Sequence, residues 1–243
     1  MFLYTHALIL AAGKSTRIAS IAGNLPKPLL EIKGQPVIIH NIQLLKKFGI
    51  QNIWMNLHYQ PEKIKDVLGD GRKWGVKITY VFEPEILGTS GALNSLRVKF
   101  QNAPFLVLYG DNFSDCDLSD VYQKHQMSKS IATVVVFDAM KSKNSGIAGG
   151  RIEVDSAGYI QRFIEGPSTD KSSSHLVNAG IYVLNPEIFN FIPSGFSDFG
   201  KDIFPALLKT QKIFSYCMKG YCLAVDTPEA LMNTQKILAE GQL

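Results

Sequence analysis

The feature that most limits what this chain can fold into is the regular exchange of apolar runs and amphipathic segments along its first half. Residues 3–10 form a largely apolar run, of the kind that a parallel strand buried on both faces needs. Pro36 then opens "VIIHNIQLLKKF", which sets Ile38, Ile42, Leu45 and Phe48 on one helical face before Gly49 stops it. "NIWMNL" (52–57) predicts the next strand, "PEKIKDVLGDG" (61–71) a short helix and turn, and "VKITYVF" (76–82) a third strand. "APFLVLYGDN" (103–112) predicts a fourth strand that ends in a polar turn. "LSDVYQKHQMSK" (118–129) reads as a helix capped by a serine or aspartate, and "IATVVVF" (131–137) as another strand. This alternation predicts an α/β fold whose mostly parallel sheet is covered by helices on both faces.

The second half is richer in strand. "GRIEVDSAGYIQRFIE" (150–165) predicts a hairpin about Asp155-Ser156-Ala157-Gly158, and "VNAGIYVL" (177–184) a buried strand. Pro186 and Ile203 are expected to begin short helices, residues 212–226 to supply two more strands, and Pro228 to open a closing helix. The polar stretch at 165–175 is the strongest loop candidate. With no repeat and no linker in 243 residues, the expectation is one domain spanning 1–243.

Composition narrows the function classes. A charge of +4, from 25 basic and 21 acidic residues, carries no clustered basic stripe, so nucleic acid is not expected as a partner. No apolar run approaches the ~20 residues of a membrane span, and "FLYTHALILAA" is read as a strand rather than a leader. Cys116, Cys217 and Cys222 form no CxxC pair and suggest reduced thiols in a cytoplasmic setting, and the five scattered histidines show no zinc spacing.

Three polar clusters directly follow predicted strands: Gly13 to Arg17, Gly110 to Asn112, and Asp226-Thr227. Ligands of open parallel sheets bind at the carboxyl ends of the strands, so these clusters are expected to meet on one edge. A strand–glycine loop–helix connection offers backbone N–H groups to phosphate oxygens. Arg17 and Lys27, the latter framed by Pro26 and Pro28, would add fixed positive charge. Taken singly, Arg17 serves equally well as a solvated cation at a helix start; the plain reading of Lys27 is a rigid loop lysine, and that of Asp111 a turn residue, which its position directly after a strand disfavours.

Together the segments "LILAAGKSTRI…LPKPLLEIKGQPVI", "EPEILGTSGAL" (83–93), "LYGDN" (108–112), "IEGP…VNAGIYVLNPEIF", "DFGKDIFPALL" and "GYCLAVDTPEAL" resemble, in order, the sugar-1-phosphate nucleotidyltransferases. The EPEILGTSGAL segment is most similar to the guanylyltransferases for mannose 1-phosphate or heptose 1-phosphate. The resemblance implies a Rossmann-like, nucleotide-diphospho-sugar transferase type of fold with a strand-rich sugar-binding insertion. Residues 1–137 would form the nucleotide-binding half and 138–243 the sugar-binding and closing half. It implies an NTP and a sugar 1-phosphate as substrates, NDP-sugar and pyrophosphate as products, and Mg²⁺ as cofactor; a homo-oligomer is left open.

On this resemblance Arg17, Lys27 and Asp111 carry the chemistry. Leu10, Ala11, Ala12, Gly13, Lys14, Ser15, Thr16, Glu83, Gly88, Thr89 and Gly91 line the nucleotide, with Glu83 able to pair the guanine N–H donors. The alternative for Glu83 is a solvated charge after a strand. Asn112, Glu165, Asn178 and Gly180 would face the sugar, and Asp111 with Asp226 the metal.

The chain departs from the family pattern at three positions. Ser15 replaces a glycine and could donate to a phosphate. Gly166 stands where the family's sugar-phosphate lysine is expected, with Arg162 and Lys171 as cations nearby in sequence. Ala224 takes the place of the second metal aspartate, and Asp226, two residues on and so on the same face of a strand, is the expected substitute. It resembles the DTPE aspartate of the cytidylyltransferases for acidic sugars; its other reading is a cap on the Pro228 helix. Three functions remain open: GTP-dependent transfer, the same chemistry with dTTP, UTP or CTP, and a catalytically silent nucleotide-sugar-binding regulatory subunit.

Overall fold

The computed structural model describes residues 6–145, 149–165 and 172–241. Strand β1 (His6–Leu10) ends in the Ala-Ala-Gly loop, and a tight turn at Thr16–Ile18 leads into α1 (Ala19–Ala22). A small hairpin, β2 (Glu31–Ile32) and β3 (Gln35–Pro36), precedes α2 (Val37–Lys47), β4 (Asn52–Leu57), α3 (Pro61–Leu68) and β5 (Lys77–Phe82). The one-turn α4 (Gly88–Gly91) leads to β6 (Phe105–Tyr109), β7 (Asn112–Ser114), α5 (Leu118–Ser128) and β8 (Ala132–Asp138). The second half contains β9 (Arg151–Val154), β10 (Ile160–Ile164), β11 (Leu176–Leu184), α6 (Phe204–Leu207), β12 (Ile213–Cys217), β13 (Cys222–Ala224) and α7 (Pro228–Ala239).

One nine-stranded sheet runs in the order β10-β9-β11-β6-β1-β4-β5, with β8 on β11 and β12 on β8. The first-half strands β6, β1, β4 and β5 are mutually parallel. The chain steps outward from β1 to β4 and β5, then returns to place β6 on the other side of β1. That reversal is a topological switch point, where the loops leaving adjacent strand ends diverge and open a crevice. In the second half β11 lies antiparallel to β6, so its first residues continue past the carboxyl end of β6. The small pair β7–β13 sets Asn112 opposite Ala224, and the Val225 amide donates to the Asp111 carbonyl at 3.2 Å.

Alternate residues of the central strands enter two cores. Ile9, Ile53 and Val135 join Ile38, Ile42 and Leu45 of α2 on one face. Leu8, Val107 and Val134 join Phe199 and Phe204 on the other. A third cluster, with Ile18, Phe113, Val225 and Leu231, seats α7 against the Thr16–Ile18 turn after β1. The three isoleucine and leucine positions expected to face inward on α2 are fully buried. The helix ends in paired bonds from the Gly49 amide to the Lys46 carbonyl (2.9 Å) and from the Ile50 amide to the Leu45 carbonyl (3.0 Å), the glycine stop expected at that position.

Asp117 caps α5 by accepting from the Ser119 and Asp120 amides. The expected strand at 3–10 is described from His6, and the hairpin about 155–158 is present with a bulge between Ile160 and Arg162. The helix expected from Ile203 begins one residue later, at Phe204, after a π turn over Phe199–Ile203; Pro186 begins a 3-10 turn. Of the expected loop at 165–175, residues 166–171 lie outside the described residues.

Below α5 the imidazole of His125, 1% exposed, bridges Thr133 Oγ1 at 2.9 Å and Asn185 Oδ1 at 3.1 Å. Burial pushes its pKa below the ordinary 6.5, partly offset by the Asn185 bond. The unfolded chain therefore binds the extra proton first as pH falls. The neutral ring's contribution is complete above pH 6.5 and is lost on acidification through the window beneath it, at no more than about 1.4 kcal/mol per pH unit. Chemical-denaturant titrations between pH 7.5 and 5 should show a steeper stability loss for the wild type than for His125→Gln; parallel curves would contradict this account.

Candidate functional site

The loop after β1 is shaped by three backbone ties. The Ala11 amide donates to Asn56 Oδ1 at the end of β4 (2.9 Å), which holds the loop over the switch point. Ser15 adopts a left-handed backbone, φ 58°, which accounts for the glycine usual at this place in the resembled pattern. Its Oγ accepts from the Lys27 amide at 2.9 Å. The hydroxyl expected to meet phosphate therefore also bolts the loop to the Pro26-Lys27-Pro28 turn.

A cavity of about 290 Å³ opens beside this loop. Leu10, Ala11, Ala12, Gly13, Arg17 and Lys27 form one wall, and Gly88, Thr89 and Asp198 belong to the other, with Ile86 and Phe196. Lys14 and Thr16, both exposed, and Gly91, which is buried, are not among the residues that line this cavity. A Cβ on Gly88 or Gly91 would strike the carbonyls of Ser197 or Gly195, so these glycines allow close approach of the 195–198 segment. Thr89 is engaged with the same segment: its amide and hydroxyl donate to Asp198 Oδ1 (3.1 and 3.0 Å), and its oxygen accepts from the Phe199 amide (2.9 Å).

Glu83 is not brought to the cavity. It is 2% exposed, with Oε1 accepting from Asn56 Nδ2 at 2.9 Å and Oε2 from the Leu87 amide at 3.1 Å. The structure thus gives it neither of its two expected settings: it is not a solvated charge, and both oxygens are already engaged in holding Asn56 and the turn into α4.

A second cavity of about 380 Å³ adjoins the first and shares Arg17, Tyr109 and Asp111 with it. Asn112, Glu165, Asn178, Gly180 and Asp226, all expected near the sugar or the metal, line it together with Lys201. Asn178 is held by its own strand: Nδ2 donates to Tyr182 Oη (2.7 Å) and Oδ1 accepts from the Gly180 amide (2.9 Å). Asn112 Nδ2 donates to the Ala179 carbonyl at 3.0 Å. Tyr109 remains a neutral wall, because burial pushes its phenol up to about 12.

Two ion pairs face the junction of the cavities. Lys27 Nζ lies 3.3 Å from Asp111 Oδ2, with both side chains largely buried, and Arg17 Nη2 lies 3.1 Å from Asp226 Oδ2. Thr227, not Asp226, caps α7, by accepting from the Ala230 amide at 3.1 Å. Asp226 is therefore free of the capping role and turned toward Arg17. Gly166 and Lys171 lie outside the described residues, and Arg162 does not line either cavity.

Sequence reasoning missed Asn56, Phe196, Asp198 and Lys201 as wall residues. A polar residue at the end of the otherwise apolar "NIWMNL" was the available signal for Asn56, and the dense polar cluster in "SDFGKD" for the last two. All three cysteines are free thiols. Among the described residues no helix is long and apolar enough to cross a membrane.

The family model described as nucleotidyl transferase matches residues 6–241. A UTP–glucose-1-phosphate uridylyltransferase of Synechocystis sp. is 35% identical over 83% of this chain and 55% of its own length. A mannose-1-phosphate guanyltransferase of Pichia angusta is 32% identical over 93% of this chain and 62% of its own. The chain thus spans a little over half the length of the curated relatives it matches. Among solved structures, HddC from Yersinia pseudotuberculosis, complexed with GMP-PN, superposes with a TM-score of 0.80 at 23% identity, over 96% of this chain and 99% of that one, and so shares the fold. A glycine loop over a switch point, two paired cations beside two carboxylates, and a match across nearly all the described residues converge: the chain belongs to the nucleotidyl transferase family.

Proposed function

We propose that the protein transfers a nucleotidyl group from an NTP to a sugar 1-phosphate, releasing pyrophosphate, with Mg²⁺ as cofactor. The observation that carries this reading is the shared wall: Arg17, Tyr109 and Asp111 border both cavities, so two ligands bound side by side meet at charged groups. The triphosphate would lie against the Gly13 loop and Lys27, and the sugar phosphate against Asn178, Glu165 and Gly180.

The chemistry asks for little more. A phosphate oxygen of the sugar phosphate forms the new bond to the α-phosphorus while the bond from that phosphorus to the bridging β-phosphate oxygen breaks. The electron pair leaves with pyrophosphate, and no proton must be removed from the nucleophile. The task left to the protein is holding two polyanions in line and neutralising charge as it moves to the leaving group. Lys27 would face the α-phosphate, and Arg17 with the loop amides the β- and γ-phosphates.

The donor set fits a magnesium ion. Asp111 and Asp226 line one cavity; Glu165 lines it too, but among the described residues no third carboxylate, imidazole or thiol forms a metal-ligating cluster with them. One or two carboxylates completed by substrate phosphates and water is the way proteins commonly bind Mg²⁺. When bound, the ion supplies Lewis acidity and charge neutralisation at the phosphates. With such a counter-ion on the aspartates, Lys27 and Arg17, now paired with them, would be free to meet phosphate oxygens.

GTP is the favoured nucleotide, on the EPEILGTSGAL resemblance and on relatives named as guanyltransferases. The Synechocystis relative makes UTP with glucose 1-phosphate the competing pair. The three free thiols accord with a reducing, cytoplasmic setting.

Pyrophosphate release measured for each NTP against hexose, hexosamine and heptose 1-phosphates should single out one pair, with GTP preferred. Nucleotide binding without turnover for every pair would overturn the catalytic reading in favour of a silent regulatory subunit. Asp111→Ala should lower turnover by at least about 100-fold while leaving the thermal melt in place. Glu83→Gln sets an amide donor against either Asn56 Nδ2 or the Leu87 amide and should cost about 1–3 kcal/mol in urea unfolding. It should leave the ratio of GTP to UTP activity within about twofold; a switched base preference at unchanged stability would return Glu83 to base recognition.

A further inference from the structure

We propose that Lys201 is the cation that holds the phosphate of the sugar 1-phosphate, replacing the lysine that the chain lacks at Gly166; the assignment rests on the transferase reading above. Lys201 lies on the π turn Phe199–Ile203 and lines the cavity that also contains Glu165 and Asn178. Among its described lining residues that cavity has two cations, Arg17 and Lys201, and three carboxylates, Asp111, Glu165 and Asp226. Arg17 is engaged by Asp226, and among the described residues Lys201 is in no ion pair within 4 Å. A phosphate group entering this net-negative cavity meets one cation whose charge is not already answered by a carboxylate at contact distance.

The turn is built to aim that charge. Backbone bonds from the Asp202 and Ile203 amides to the Asp198 carbonyl close it, and the Asp198 amide donates to Asp202 Oδ2 at 2.7 Å. Asp198 is fastened to Thr89, so the lysine rides on an element tied to the wall of the nucleotide cavity. Gly200 and Gly150 leave room for the Glu165 carboxyl, which a Cβ on either would strike. Burial raises the pKa of that carboxyl and the charge of Lys201 draws it back down, so acid and cation share one environment across the sugar subsite. Glu165 is thereby placed for sugar hydroxyls while Lys201, one residue from its packing surface, faces the phosphate. Neither Arg162 nor any other described lysine enters this cavity.

The test is steady-state pyrophosphate release by the full chain with mannose 1-phosphate and GTP and with glucose 1-phosphate and UTP. Lys201→Gln should raise KM for the sugar phosphate by about 10- to 100-fold, the loss of one charge-assisted contact. KM for the nucleotide should stay within about twofold. Lys201→Arg should recover most of the loss, which a merely structural role on an exposed turn would not require. Calorimetric GTP binding by each variant checks that the nucleotide cavity is intact. A wild type that is active while Lys201→Gln leaves the sugar-phosphate KM unchanged overturns the assignment alone, as does a KM rise in Lys171→Ala with none in Lys201→Gln. A wild type that turns over neither pair overturns the assignment together with the transferase reading for these substrates.

Discussion

Strand β6 is the hinge of the architecture: it pairs in parallel with β1 along one edge and antiparallel with β11 along the other. The parallel partner brings its carboxyl end, and with it the Ala11–Arg17 loop, beside Gly110 and Asp111. The antiparallel partner brings the start of its chain, Asn178 to Gly180, to the same edge. Together these pairings set the loop after β1, an acidic turn and the Asn112 and Asn178 side chains around one crevice. The two cavities follow from that arrangement, and so does the wall that they share at Arg17, Tyr109 and Asp111.

Within that frame the charges answer one another. Lys27 is largely buried and would be costly to leave unpaired; Asp111 at 3.3 Å meets it. Arg17 is more exposed, and its pair with Asp226 is correspondingly weak as a source of stability. Each of the two cations beside the cavities is thus answered by a carboxylate, and changing any one of the four leaves its partner's charge unanswered.

Much of this was legible in the residues. The strands and helices of the first half announce themselves by period, and Asp111 by its position in a polar turn after an apolar strand. Asp226 was legible as a choice between cap and ligand; Thr227 takes the cap, a contact three residues long that sequence alone offers to either side chain. The burial of Glu83 was not legible because its partners, Asn56 and the Leu87 amide, come together only when β4 and β5 pair. Asp198 and Lys201 were passed over for a related reason: their place depends on hydrogen bonds to Thr89, more than a hundred residues earlier, and no local period records such a contact.

That long-range fastening has a physical consequence for the site as a whole. Ser90 and Gly91 donate backbone bonds to the Ser197 carbonyl, Ser197 donates back to Leu87, and Thr89 holds Asp198 and Phe199. The α4 turn and the 195–203 segment are therefore fastened together, although one borders the first cavity and the other continues into the second. These bonds link Gly88 and Thr89, on the wall of the first cavity, to the turn that carries Lys201 in the second. Close packing at Gly88 and Gly91 leaves no slack in the joint, since even a methyl group at either would meet the backbone opposite. The joint between the two cavity walls thus rests on backbone hydrogen bonds, missing side chains and the Asp198 carboxylate that accepts from Thr89.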